Sequence, residues 1–352
     1  MKRINVAIVG FGLGGKVFHA PILSSLEEFS ITKIMTSNPQ HTAFAQVHYP
    51  NAEVVTSYDS ILEDQNIELV VIATPNHLHF SLASDALKHH KHVIVEKPFT
   101  VTTDEADQLI ALAKQQERII TVNHNRRWDS DFLTIQKLVK SEVLGEIMEY
   151  EAHFDRFRNY VKEGAWKETT VSGSGILYDL GSHLIDQALS LFGLPKSVYA
   201  DLRMQREHSP VVDNFEVILS YNDKKVTLKA GMLVRETGPR YSIYGREGTF
   251  IKSGMDVQEE LLGKGKKPND DANWGTEPIE NWGTLNTTFK GLHFKGSIES
   301  EKGDYRKLYK NLAGAIRGTE EIAVSGEQAR NVISIIELAY LSHQEQRVIS
   351  FE

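Results

Sequence analysis

Cysteine is absent from all 352 residues. That excludes disulfides, thiolate nucleophiles, cysteine-ligated zinc and iron–sulfur clusters. No apolar run approaches the roughly 18 residues of a membrane span. Lys2 and Arg3 precede an apolar stretch, but Asn5 interrupts it and no small-residue cleavage pattern follows, so no signal peptide is read and a cytoplasmic location is expected. No block of like charge stands out within a formal net charge of −8, which argues against a nucleic-acid partner. Internal repeats and low-complexity segments are also missing. What remains is a globular composition, 41% apolar and 24% charged, with enough length for two domains.

The first third alternates. Strands are expected near 4–9, 31–35, 53–56, 68–73, 92–96 and 119–122, with helices near 40–47, 58–64, 77–90 and 103–117 between them. Such alternation predicts a doubly wound parallel sheet, with ligands outside the carboxyl ends of its strands. The first strand runs into Gly10-Phe11-Gly12-Leu13-Gly14-Gly15. In the G-x-G-x-x-G pattern, Gly10 makes the tight turn, Gly12 lets a pyrophosphate approach the backbone and Gly15 lets the next helix pack closely. A dinucleotide site is expected there, with the free N–H groups of the helix start facing the phosphates.

The end of the second strand reads Met35-Thr36-Ser37-Asn38 and lacks the carboxylate usual in an NAD site. Thr36 and Ser37 can donate to a 2′-phosphate, and Lys33 or His41 could add charge, so NADP is favoured over NAD. Thr74, Pro75 and Asn76 end another strand. They serve either as the cap of the next helix or as contacts for the nicotinamide half. His77 and His79 are spaced so that they do not stack as ligands on one helix face, and no metal is expected. His89 and His90, near a helix end, read as a solvated cap.

Beyond about residue 123 the pattern changes to long alternating runs at 146–157, 196–206, 212–220, 225–236 and 240–252, which predict a large, mostly antiparallel sheet. The domains are therefore placed at 1–123, a Rossmann dinucleotide-binding domain, and 124–352, an α+β domain for substrate binding and oligomerisation. Residues 253–284 read as a long loop region, 304–317 and 327–344 as helices, and the closing residues as an edge strand. One segment, 172–193, places Asp179, His183 and Asp186 at i, i+4 and i+7 on one helix face. A carboxylate one turn from an imidazole can orient it for proton transfer, although a routine surface charge pair has the same spacing.

Two further features stand at matching places: Glu96-Lys97-Pro98 after the fifth strand, and Asp179-x-x-x-His183 on the second-domain helix. With the glycine turn at 10–15 and the stretch 73–79, they resemble the Gfo/Idh/MocA oxidoreductases along the whole chain. The stretch 15–23 further resembles a subgroup that contains NADP-dependent scyllo-inositol dehydrogenases. The resemblance implies that Lys97 contacts the cofactor ribose and the reacting hydroxyl, that Asp179 and His183 bind or deprotonate that hydroxyl, and that Glu96 and a cis Lys97–Pro98 peptide shape the lysine's setting. Gly10, Gly12, Gly14 and Gly15, with Thr36, Ser37, Thr74, Pro75, Asn76 and His79, are assigned to the cofactor, as are Glu96, Lys97, Asn125 and Arg126. Tyr160 and Trp166 are assigned with Lys97, Asp179 and His183 to the substrate.

The expected reaction is reversible hydride transfer between the nicotinamide and a secondary alcohol of a polyol, inositol or sugar. His183 serves as base with Asp179 orienting it, or Lys97 serves as base. Two other functions share these features: an NAD-dependent glycosidase with transient redox chemistry, and a catalytically silent dinucleotide-binding sensor. Homodimers or homotetramers are typical of the resembled family.

Overall fold

The computed structural model describes residues 2–351. The chain forms two compact units. The first comprises the residues up to Asn125 together with Gln258–Trp274 and Asp304–Asn331, and the second comprises Arg126–Val257, Gly275–Gly303 and the residues from Val332 on.

In the first unit, β1 (Ile4–Val9), β2 (Phe29–Met35), β3 (Glu53–Val55), β4 (Leu69–Ile72), β5 (His92–Val95) and β6 (Ile120–Val122) form one parallel sheet in the order β3-β2-β1-β4-β5-β6. The helices that follow the first five strands are α1 (Ala20–Ser24), α2 (Pro39–His48), α3 (Asp59–Leu62), α4 (His79–Lys88) and α5 (Thr103–Gln115). This is the doubly wound order, with the topological switch between β1 and β4. Val6, Ile8, Val70, Val71, Val93 and Ile94 are buried, as β-branched residues covered on both faces of a parallel sheet should be. The α5 start is fixed by a capping box, in which Thr102 accepts from Glu105 N at 3.3 Å and the Glu105 carboxylate accepts from Thr102 N at 3.4 Å.

A single cut at 123/124 leaves Gln258–Trp274 and Asp304–Asn331 in the second domain, yet both pack in the first unit. Hydrogen bonds explain it. The Trp274 indole donates to Gln258 at 3.0 Å, Tyr305 N donates to the same amide oxygen at 2.9 Å, and Thr121 Oγ1 donates to Val324 O at 2.7 Å.

The second unit holds α6 (Ser130–Lys140), β7 (Ile147–His153), α7 (Ser182–Phe192), β8 (Ser197–Arg203), β9 (Asn214–Ser220), β10 (Lys225–Gly231), β11 (Tyr241–Gly245) and β12 (Gly248–Lys252). After α8 (Gln258–Gly263) in the first unit come β13 (Gly283–Phe289) and β14 (Leu292–Ile298). The chain ends with α9 (Arg306–Ile316), α10 (Gly326–Glu345) and β15 (Ile349–Ser350). The sheet has nine strands in the order β14-β13-β12-β11-β7-β10-β9-β8-β15, and only the β7–β10 pair is parallel. The stretch 253–284 is thus more structured than the loop expected: it contains α8 and leads into β13. It is anchored by the buried Lys252, whose ammonium donates to Glu277 at 2.8 Å and to Asn281 O at 2.5 Å, while Glu277 accepts from Ser130 and Ser300 hydroxyls at 2.6 Å each. Among the described residues, no helix is long and apolar enough to cross a membrane.

Candidate active site

The glycine turn joins β1 to a π-helical turn, Gly14–His19, that leads into α1. Whether it fits a dinucleotide can be tested on its glycines. Gly10 has φ +90°, and a Cβ there would lie 2.5 Å from Ala73 O; a Cβ on Gly15 would lie 2.2 Å from Gly10 O. Packing alone requires those two. A Cβ on Gly12 would meet nothing within 4 Å, and one on Gly14 would make only ordinary contacts from 3.5 Å outward. The fold leaves the backbone bare at 12 without needing it, which fits the close approach of a pyrophosphate.

The neighbouring strand end carries Thr74, whose methyl lies against Gly10 and whose hydroxyl is buried without a hydrogen-bond partner among the described residues. Pro75 precedes a short 3-10 turn, Asn76–Leu78, in which Asn76 is buried. His79 is buried too, with Nδ1 2.9 Å from Pro98 O and Nε2 3.0 Å from Thr74 O. Burial lowers its pKa against the pull of those carbonyls. It therefore braces two rim segments from behind.

At the end of β2, Thr36 Oγ1 accepts from Asn38 N at 3.2 Å, and Asn38 Oδ1 caps α2 by accepting from Gln40 N and His41 N. Ser37 is exposed. Lys33, expected to add charge near the cofactor, is committed elsewhere: its ammonium lies 2.9 Å from Asp64 and donates to Ser60 O.

Glu96 follows β5 with its side chain 15% exposed. Oε1 lies 2.8 Å from His19 Nε2 and accepts from the Asn123 amide at 2.9 Å, and Oε2 accepts from Lys97 N at 3.1 Å. Burial pushes this carboxyl up, but His19, Lys97 and Asn123 outweigh it and bring it down to about 2. His19 Nδ1 in turn meets the Tyr309 hydroxyl. Burial raises the Tyr309 phenol well above its ordinary value, so it stays protonated and donates, which leaves the other ring nitrogen to carry the N–H that faces Glu96. His19, Asn123 and Tyr309 have no motif of their own, and sequence patterns did not single them out. The Lys97–Pro98 peptide is cis.

In the second unit a π-helical turn, Leu177–Gly181, carries Asp179 and runs into α7, which carries His183 and Asp186. The two carboxylates have different partners. Asp186 is held by Arg127 through two bonds of 2.9 and 2.7 Å, whereas Asp179 Oδ1 accepts from Lys167 Nζ at 2.6 Å. His183 is buried beside them in sequence. Lys167 comes from a short turn, Trp166–Glu168, and was not foreseen. Trp166 is half-buried, with the Lys167 ammonium 5.8 Å from its ring centre. Tyr160 is exposed, its carbonyl accepting from the buried Arg206 at 2.7 Å. Asn125 opens a 3-10 turn, and Arg126 pairs with Asp129 at 3.1 Å over the Phe154 ring.

Comparison with known proteins gives a consistent result. Residues 4–124 match the model of the oxidoreductase family's NAD-binding Rossmann fold (Gfo/Idh/MocA), and residues 136–351 match that family's C-terminal alpha/beta domain. The chain is 42% identical to the scyllo-inositol 2-dehydrogenase (NADP(+)) IolW of Bacillus subtilis (strain 168), covering 100% of this chain and 97% of that protein. It is 39% identical to the oxidoreductase YdgJ of Escherichia coli (strain K12), over 99% of this chain and 98% of the relative. The solved structure of the oxidoreductase yvaA from Bacillus subtilis superposes with a TM-score of 0.95 at 41% identity, covering 100% and 99% of the two chains.

Proposed function

Because this chain belongs to the Gfo/Idh/MocA oxidoreductase family, we propose that it is an NADP-preferring dehydrogenase that oxidises a secondary hydroxyl of a cyclic polyol, with an inositol as the first substrate to try. The observation that carries this is the unbroken likeness to a scyllo-inositol 2-dehydrogenase, joined to the presence of Lys97, Asp179 and His183 in this chain. The lack of a carboxylate among Thr36, Ser37 and Asn38 supports NADP, as does the cofactor in that relative's name.

Gly12 and the turn around it hold the pyrophosphate, and Thr74, Pro75 and Asn76 border the nicotinamide half. When bound, the nicotinamide supplies the hydride acceptor. Lys97 acts as a cation beside the ionised Glu96 and steadies negative charge on the substrate oxygen. His183 takes the hydroxyl proton, and Asp179 accepts a hydrogen bond from the substrate. A homodimer or homotetramer is part of the proposal, supported by the apolar residues Phe289, Leu292 and Phe294 left exposed on β13 and β14.

The test is a screen of scyllo-inositol, myo-inositol and common aldoses with NADP and NAD, read by nicotinamide absorbance, on wild type and Lys97→Met. Reduction of NADP by an inositol is expected, with Lys97→Met lowering kcat about a thousandfold while NADPH still binds. Tight NADPH binding with no turnover of any polyol or sugar would overturn the dehydrogenase. Cleavage of a glycoside without net absorbance change would replace it with a glycosidase.

A further inference from the structure

We propose that Lys167 is a substrate-positioning residue, forming with Asp179 a donor–acceptor pair that recognises two adjacent hydroxyls of a ring polyol against the face of Trp166. This rests on the polyol dehydrogenase proposed above and adds a residue to it. The Lys167 ammonium has three N–H donors, and one goes to Asp179 Oδ1 at 2.6 Å. The lysine side chain is 44% exposed and the aspartate 20%, so neither is sealed in the core.

Neighbouring ring hydroxyls lie at about hydrogen-bond spacing, and each both donates and accepts. One can donate to the Asp179 carboxylate while its neighbour accepts from the Lys167 ammonium. The Trp166 ring, beside the ammonium, offers an apolar surface to the C–H groups of such a ring.

An isolated surface ion pair of this kind would be unremarkable in energy. What sets this one apart is the backbone beneath it. Lys167 O accepts from Gly175 N at 3.0 Å, Thr169 O accepts from Ser174 Oγ at 2.5 Å, and the Asp179 N–H donates to Gly175 O at 3.1 Å. The next residue, Glu168, accepts from Lys162 N at 2.5 Å and lies 3.4 Å from the buried Arg206, which also grips Asp213 at 2.9 Å and Tyr160 O at 2.7 Å. The turn is pinned on both sides of Lys167 and the bond to Asp179 holds the far end of its side chain, so part of the ordering that binding requires is already in place.

The experiment measures steady-state kinetics of wild type, Lys167→Met and Lys167→Arg with scyllo-inositol and with a monodeoxy-inositol lacking one hydroxyl of the pair. It also titrates scyllo-inositol calorimetrically into each NADPH-loaded protein. Lys167→Met should raise KM for scyllo-inositol about tenfold or more, with a much smaller fall in kcat. Lys167→Arg should recover most of the loss, and the penalty should shrink to less than about threefold for the deoxy compound. Equal penalties on both compounds, or an unchanged KM, would remove Lys167 from recognition while the dehydrogenase stands. Binding of scyllo-inositol to wild type without turnover, weakened by Lys167→Met, would keep the diol site and sink the dehydrogenase. A wild type that neither binds nor oxidises the probe sinks both. Unfolding temperatures of the three proteins, expected to coincide, exclude misfolding as the cause.

Discussion

Glu96 and Asp179 are both carboxylates with a lysine close in the structure or the chain, one in each compact unit, and their surroundings differ in kind. Glu96 is enclosed. Asn123 and the Lys97 backbone donate to it, His19 lies 2.8 Å away, and Tyr309 fixes the imidazole behind it. Asp179, 20% exposed against 15% for Glu96, is set apart less by burial than by its partner: its bond to Lys167 reaches it from a half-exposed side chain. A carboxylate held by buried donors keeps one position and one charge, and so it can set the environment of a neighbour. A carboxylate shared with an exposed ammonium can exchange that partner for a substrate hydroxyl. The first suits a fixed electrostatic background and the second suits recognition and proton handling.

The largest effect that sharpens this contrast is expected from Asp179→Asn. It should lower kcat/KM for the polyol about a thousandfold. Its cost in stability should stay below about 1 kcal/mol, because an ion pair with so exposed a partner contributes little. Steady-state kinetics and urea unfolding on the same preparation check both halves. A large loss of stability with modest loss of turnover would mean that Asp179 belongs to the scaffold, and the contrast would fail.

Glu96→Gln should show a larger loss of stability. The wild-type carboxyl moves from its ordinary 4.5 to about 2 on folding, a depression that makes the folded state more stable above the unfolded value. By linkage this contributes roughly 3 kcal/mol at neutral pH. The sign follows: the advantage of wild type over Glu96→Gln is complete above about pH 4.5 and disappears as pH falls toward about 2. Urea unfolding of the two proteins across that interval measures it. A gap that stays constant with pH would show that the carboxylate's charge is not what its partners stabilise.

The elements that the sequence made legible are those whose signal is local. Ile4–Val9, Leu69–Ile72 and His92–Val95 are short, β-branched runs bounded by turns, and they form the strands expected. The alternation of β8 and β9 was as plain, since every second residue is buried. The β13–β14 hairpin was hidden because Leu285 is the only large apolar side chain that β13 buries, and β14 is mostly exposed; pairing with the sheet defines it. Both π turns escaped notice too, because a 3.6-residue period does not encode an extra residue in a turn. At the candidate site, the motifs pointed to Glu96, Lys97, Asp179 and His183. Nothing local pointed to Lys167 as Asp179's partner, nor to Tyr309, which reaches His19 across 290 residues of chain. Lys33 shows the converse failure, since its position near the end of β2 suggested the cofactor while its charge went to Asp64.

Tyr309→Phe is the smallest and most discriminating change. It removes one buried hydroxyl and keeps the ring that packs edge-on against Phe29 and His19. His19 Nδ1 then loses its donor inside the protein, and stability should fall by about 1 to 2 kcal/mol. His19 can still present its other N–H to Glu96, so kcat should change by less than about threefold, which is within the range of an indirect packing effect. The phenol stays protonated throughout the working range, so the loss should be independent of pH, unlike that of Glu96→Gln. Chemical unfolding at several pH values, with kcat measured alongside, separates the possibilities. If kcat instead fell by a hundredfold while stability barely moved, the chain from Tyr309 through His19 to Glu96 would be tuning the reaction itself, and the enclosed carboxylate would be as much a part of the chemistry as the open one.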